Sequence, residues 1–272
     1  MPKLYMLTEH SPFMMGFVFI TDCDTAVIVD GGREDDLPYL MELVGGRPIR
    51  AWILTHPHMD HITGFIRAIQ QPDIAGRIER IYYNFPSEEF VLACEKSFDD
   101  SPMDALRKAL PAVAHKCVTA VPGMAPDIDG LTVEFLFCGG ERYALPKPNL
   151  AVNESSLVFK VTAKHMRSVL FLGDLGPCGG RDLLKTCADR LPSDIVQMAH
   201  HGHSGVTLEV YRAIAPAACL WCAPDWLWEE PDVEFEPELF GTIHTRKWMA
   251  GLGIREHYVT KDGTQEIPLT PK

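Results

Sequence analysis

No stretch of this sequence is long and apolar enough to cross a bilayer. The longest candidate, Phe13 to Ile20, stops at Asp22 and Asp24 and reads as a strand. The opening Met1-Pro2-Lys3-Leu4-Tyr5 lacks the basic-then-apolar layout of a secretory signal. A cytoplasmic protein with no membrane partner is therefore expected. Basic runs are missing too. Thirty-seven acidic residues face twenty-five Lys and Arg, giving a net charge of -12. A polyanion would be repelled at long range, so a small-molecule substrate is expected ahead of a nucleic acid. Only a bound metal pair would supply strong local positive charge. The eight cysteines form no compact framework, which predicts reduced, mostly buried thiols. Cys219-Leu220-Trp221-Cys222 is formally a CxxC. It has no second pair and lies in the apolar run Ala217 to Ala223, which reads as a buried strand rather than a redox or zinc motif. A Pro/Gly/Ser-rich linker is also absent, which predicts a single domain over residues 1–272.

What is present is a repeated order of segments. Phe13 to Ile20 and Thr25 to Asp30 predict a hairpin around Asp22-Cys23-Asp24, and Asp30-Gly31-Gly32 ends it. Asp35 to Val44 carries Leu37, Leu40, Met41 and Val44 at helical spacing and stops at Gly45-Gly46. Ile49 to Leu54 is a short buried strand running into a histidine cluster, followed by a helix with Ile62, Phe65, Ile66 and Ile69. Arg80 to Asn84 predicts a further strand, and Glu88 to Ala114 is mostly helical. Val118 to Ala120 and Leu131 to Phe137 read as strands joined through Asp129-Gly130. The order then recurs. Leu157 to Thr162 and Ser168 to Leu172 predict a hairpin ending at Gly173-Asp174. Asp182 to Ala188 follows as a helix, and Ile195 to Ala199 as a strand running into His200-His201. Trp248 to Leu252 closes a last helix. His257 to Thr260 and Glu266 to Leu269 predict a final hairpin around Asp262-Gly263.

Two similar halves are thus expected, with sheets packed face to face and helices outside. The candidate ligands fall at strand C-termini, where loops converge on one edge. Residues 224–241 differ in composition. Asp225, Trp226, Trp228, Glu229, Glu230, Asp232, Glu234 and Glu236 stand among prolines, which predicts a lid loop.

Thr55-His56-Pro57-His58-Met59-Asp60-His61 carries the strongest chemical signal. Neutral imidazole is the commonest protein ligand for zinc, and carboxylates suit harder divalent ions. In an extended segment His56 and His58 point the same way and can share one ion. Where the chain turns into a helix, Asp60 and His61 swing toward a second. A solvated histidine-rich turn fits poorly between the apolar Ala51-Trp52-Ile53-Leu54 and an amphipathic helix. For His200 and His201, strand alternation predicts that only one points inward. His200 is expected to be the ligand, and His201 to lie behind it or against substrate.

His56-x-His58-x-Asp60-His61, with Gly64 shortly after, resembles the HxHxDH signature of the metallo-β-lactamase superfamily. The resemblance extends over nearly the whole chain. It matches Asp30-Gly31-Gly32 to the family's early Asp-Gly turn, Asp174 to the carboxylate that bridges two metals, and His200 to the last ligand. The fold it implies is α+β, a four-layer αββα sandwich of two similar halves. The implied metal ligands are His56, His58, Asp60, His61, Asp174 and His200, with Asp60, Asp174 and His201 in catalytic roles. The implied cofactor is two divalent ions, zinc first, with manganese or iron as alternatives. One departure stands out. Where many members place a further His, this chain has Asn153-Glu154-Ser155-Ser156-Leu157-Val158. That stretch and the His200-His201-Gly202 ending are similar to the hydrolase domain of bacterial DNA-uptake proteins and its stand-alone relatives. Parts are shared with phosphorylcholine esterases. Asn153 is a candidate ligand or outer group in place of the missing His, or else a turn residue.

His244, Trp226 and Trp228 are candidate substrate contacts. The resemblance implies a phosphodiesterase that uses a metal-bridged hydroxide. Hydrolysis of a carboxylic ester, lactone or amide is the first alternative, and a metal-binding protein without catalysis the second. Two indole faces beside carboxylates would suit an alkylammonium group; anchoring of the loop to the body is the competing role.

Overall fold

The computed structural model describes residues 1–94, 101–143, 148–229 and 240–271. Two seven-stranded sheets pack against each other. The first contains β1 (Lys3–Met6), β2 (Gly16–Ile20), β3 (Ala26–Asp30), β4 (Ile49–Ile53), β5 (Ile78–Tyr83) and β6 (Cys117–Thr119). The second contains β7 (Asp127–Ile128), β8 (Leu131–Cys138), β9 (Leu157–Thr162), β10 (Val169–Phe171), β11 (Ile195–Gln197), β12 (Ala218–Trp221) and β13 (Glu256–Val259). The last strand, β14 (Gln265–Ile267), returns to the first sheet beside β1. The helices are α1 (Leu37–Val44), α2 (Met59–Ile69), α3 (Pro72–Arg77), α4 (Glu88–Cys94), α5 (Met103–Ala109), α6 (Pro148–Asn153), α7 (Pro177–Cys187), α8 (Leu208–Ile214), α9 (Asp225–Trp228) and α10 (Thr242–Gly251).

Each sheet starts antiparallel and finishes parallel. β1, β2 and β3 form a meander, after which β3 to β6 run parallel. In the second sheet β7 to β10 are antiparallel and β10 to β13 parallel. The two halves expected from the segment order are therefore real. Side-chain alternation explains the layering. Phe17, Phe19, Val27 and Val29 point between the sheets, where Phe17 meets Phe171 edge-on at 5.2 Å. Val18, Ala26 and Ile28 point outward, onto Leu37 and Leu40 of α1 and Phe65 and Ile69 of α2. The second sheet likewise packs outward on Leu183 of α7 and on Val210 and Ile214 of α8. Three apolar layers thus join four layers of structure, the αββα sandwich of an α+β fold. Strands covered on both faces read as unbroken apolar runs.

Three local expectations change. β6 lies in the first sheet, so Asp129-Gly130 connects β7 to β8 and not the 118–120 segment to 131–137. β13 and β14 do not form a hairpin. A 3-10 turn at Thr260–Asp262 and Gly263 at φ 95° redirect the chain from the second sheet to the first. The strand expected from Phe13 starts at Gly16, and residues before it form a loop. Cys219 and Cys222 are buried, free thiols, and burial raises both pKa values, that of Cys219 to about 12. This is an inert pair.

The Asp30-Gly31-Gly32 turn presses on α2. Gly64 N–H donates to the Gly32 carbonyl at 2.9 Å. A Cβ on Gly64 would collide with the Gly31 carbonyl oxygen and stand 3.0 Å from that of Arg33. Backbone-to-backbone contact cannot relax by a rotamer change. Gly64→Ala is therefore expected to cost about 3 kcal/mol or more, by the usual penalty of overpacking. Urea unfolding checks this, and an unchanged midpoint would show that the turn yields freely.

Candidate metal centre

The candidate ligands leave the C-terminal ends of parallel strands at one edge of the sandwich. β4 ends at Ile53, and the chain stays extended through His58, at φ -85° and ψ 154°, before α2 begins. Extension puts residues two apart on one side. His56 Nε2 and His58 Nδ1 accordingly lie 3.0 Å apart. The first turn of α2 then carries Asp60 and His61. β10 ends at Phe171 and delivers Asp174, whose N–H donates to Ser156 Oγ at 3.0 Å.

Two clusters of donor atoms result. One joins His56, His58 and Asp174; the other joins Asp60, His61, Asp174 and His201. Asp174 is common to both. Its Oδ2 lies 3.3 Å from His61 Nε2, 3.5 Å from His201 Nε2 and 3.8 Å from His56 Nε2. Asp60 Oδ2 lies 3.0 Å from His201 Nε2 and 3.3 Å from His61 Nε2.

The hydrogen bonds behind these atoms set the tautomers. His61 Nδ1 donates to Asp30 Oδ2 at 2.7 Å, and His201 Nδ1 donates to the Cys222 carbonyl at 2.9 Å. Thr55 Oγ1 donates to Asp30 Oδ2 at 2.8 Å and so is left to accept from His56 Nδ1 at 3.1 Å. Each of the three rings thereby turns Nε2 inward, the atom through which imidazole ligates a metal once a metal takes the place of its proton. Asp174 Oδ1 and His61 Nε2 are enclosed with no hydrogen-bond partner. The donor set, the inward Nε2 atoms and these orphaned atoms all fit divalent ions.

The electrostatics set opposite charges side by side. Burial opposes ionisation of Asp60 and Asp174, yet His61 and His201 hold both carboxyls well below the usual range. Burial would depress His61 and His201, but Asp174 and Asp60 lift His61 well above the ordinary imidazole value and His201 to about 10. His56 and His200 go down, chiefly by burial.

The His200-His201 pair departs from the strand rule. Both residues are left-handed, at φ 51° and 57°, and Gly202 follows at φ 92°. Such a run costs L-residues roughly 1–2 kcal/mol each. In this turn, unlike in a strand, consecutive side chains need not face opposite ways. His201 is buried in the Asp60 cluster. His200, 15% exposed, puts Nε2 3.9 Å from Asp174 Oδ2. The expectation that only one points inward is overturned.

The other expected residues divide. Asn153, at the end of α6, places Nδ2 3.1 Å from His200 Nε2. His244, in the first turn of α10, lies outside both clusters. Trp226 and Trp228 lie on α9, and residues 230–239 of the expected lid, with Glu230, Asp232, Glu234 and Glu236, lie outside the described residues. Trp228 packs edge-on against Trp221 at 5.3 Å, with the Arg246 guanidinium 4.1 Å from its ring centre. That face already holds a cation, which gives Trp228 an anchoring role. Trp226 is 54% exposed; its Nε1–H donates to the Pro12 carbonyl at 2.8 Å.

Sequence reasoning missed several supports. Gln197 is fully buried and accepts from Leu172 and Gly173 N–H, both at 2.8 Å, which fixes the exit of β10 before Asp174. Glu154 accepts from Cys178 and Gly179 N–H at the start of α7, just after that exit. A buried Gln at a strand end was the available signal for the first.

The chain belongs to the metallo-beta-lactamase superfamily, whose family model matches residues 17–218. No curated protein matches the sequence. Among solved structures, it is similar to the metallo-beta-lactamase fold protein YhfI from Bacillus subtilis, with 14% identity and a TM-score of 0.55 over 97% of this chain and 99% of that one. It is also similar to CmlA, a diiron β-hydroxylase from Streptomyces venezuelae, with 14% identity and a TM-score of 0.60. There it covers 98% of this chain but only 54% of the other, so it spans about half of that protein. These likenesses are of fold.

Asp30 is fully buried and orients His61 through one bond. Asp30→Asn should therefore weaken zinc binding about 10- to 100-fold, the usual loss when a group behind a ligand is changed. Competition against a chromophoric chelator reads this directly. Equal zinc affinities for the two proteins would remove Asp30 from the metal site.

Proposed function

We propose that this protein is a metal-dependent hydrolase of phosphodiesters, acting on a small molecule with two divalent ions, zinc in the first place. The observation that carries the proposal is Asp174, one carboxylate shared by two clusters of inward-facing ligand atoms. His56, His58 and Asp174 would hold one ion; Asp60, His61, Asp174 and His201 would hold the other. In this assignment His201 takes the ligand role expected of His200. Asn153 stands where other members carry a further His, and His200 beside it is left to complete the first group.

When bound, the ion pair supplies Lewis acidity and lowers the pKa of coordinated water toward neutrality. The chain supplies the rest. Asp60 and Asp174 stay ionised, and so can orient an attacking water through lone pairs not used for ligation. Asp30 and the Cys222 carbonyl keep the His61 and His201 rings from turning. Phe13, edge-on to His201 at 5.4 Å, limits solvent on one side of the centre. No side-chain nucleophile is needed.

The substrate class is supported by the Asn153-x-x-Ser156-Leu157-Val158 stretch and the His-His-Gly ending, which carry the finer likeness to the DNA-uptake hydrolases. The net charge of -12 favours a small phosphodiester over a long polyanion. Eight free thiols support a reducing, cytoplasmic setting.

Metal-free protein reloaded with zinc or manganese should hydrolyse bis(p-nitrophenyl) phosphate faster than p-nitrophenyl acetate. Asp174→Ala and Asp60→Ala should each lower kcat about a hundredfold or more, as for loss of a group that acts on the transition state. Circular dichroism should show the fold retained. Preference for the acetate ester would move the assignment to carboxylic esters, lactones or amides. Stoichiometric metal with neither activity would leave a binding protein.

A further inference from the structure

Arg33 follows the Asp30-Gly31-Gly32 turn and leans over Phe13, its guanidinium carbon 5.1 Å from the ring centre. Phe13 in turn touches two other rings edge-on, His201 at 5.4 Å and Trp226 at 5.9 Å. One half-buried phenyl ring therefore links a guanidinium, an exposed indole and a ligand of the metal centre. Several other arginines are neutralised: Arg47 by Asp24, Arg50 by Asp129, Arg167 by Glu256 and Arg190 by Glu134. Among the described residues Arg33 has no acidic partner, and its Nε is enclosed without a hydrogen-bond partner. A half-buried guanidinium with no acid beside it among the described residues, one ring away from His201, is placed to receive an anion.

We infer that Arg33 is a substrate-binding residue that takes a second negative group, a carboxylate or another phosphate, on a substrate whose reacting phosphate lies at the metal centre. The inference rests on the hydrolase reading and narrows it to organophosphates that carry two anionic ends. The planar fork of the guanidinium suits a bidentate grip on such a group. Phe13 lies against the guanidinium, and Trp226 meets the same ring edge-on. A cationic head group on the substrate, by contrast, would be repelled from this wall.

The test uses the full-length, zinc-loaded protein and two matched probes, 3-phosphonopropionate and ethylphosphonate, which differ by one carboxylate. Calorimetric titration should show the first binding about tenfold or more tightly, the range of one charge-assisted hydrogen-bonded contact. Arg33→Ala should bring the ratio of the two affinities close to one. Arg33→Lys, which keeps the charge but not the fork, should leave an intermediate ratio and also guards against a folding defect. A wild-type ratio near one would overturn the inference, and so would a ratio that survives Arg33→Ala or failure of both probes to bind. Hydrolysis of bis(p-nitrophenyl) phosphate, measured on the same samples, tells whether the hydrolase reading stands when the inference falls.

Discussion

The bond between His61 Nδ1 and Asp30 Oδ2, 2.7 Å long and fully enclosed, ties together elements that are far apart in sequence. Asp30 ends β3, and His61 sits in the first turn of α2. Thr55, just past β4, gives both its N–H and its hydroxyl to the same carboxylate. Trp52 adds an indole N–H to the Asp30 carbonyl at 2.6 Å. Two parallel strands and a helix are thereby locked by one residue, in a left-handed conformation that few side chains adopt. The order of the whole ligand edge follows. His56 takes its tautomer from Thr55, and His61 takes its tautomer and direction from Asp30. Gly64 lets α2 approach closely enough for that bond to form.

A cluster of this kind is costly for a folded chain. Burial works against every ionised group in it, and mutual attraction between His61, His201, Asp60 and Asp174 is what keeps them charged. Such an arrangement offsets its own desolvation only in part. Divalent ions would replace protons on the imidazoles and satisfy the orphaned oxygen of Asp174, so that metal affinity and fold stability become one quantity. The left-handed turn at His200 and His201 belongs to the same balance, because local strain persists where the surroundings over-determine the conformation.

Much of this was legible in the residues. Spacing alone brought His56, His58, Asp60 and His61 together, because an extended segment that turns into a helix has a fixed side-chain geometry. The recurrence of hairpin, helix and strand showed the two halves. The His200-His201 pair was misjudged for a physical reason: alternation is a property of strands, and β11 ends at Gln197, three residues earlier. The final hairpin failed because Asp262-Gly263 signals a turn but not which sheet receives the next strand. Trp228 was ambiguous until Arg246, eighteen positions on, was found against its ring. Arg33 and Phe13 gave no signal at all, since their contact is made only by the loop before β2 folding over the turn after β3.

The pairing of β14 with β1 joins the two extremes of the described chain, Leu4 opposite Ile267. During synthesis β1 precedes β14 by almost the whole described chain, so its outer edge stays uncovered until β14 has been made. Until then that edge presents unpaired N–H and C=O groups beside the apolar Leu4 and Met6, a surface prone to pairing with other chains. Completion of the first sheet therefore waits for β14, and a chain cut short before Gln265 would carry every candidate ligand but an open, adhesive edge.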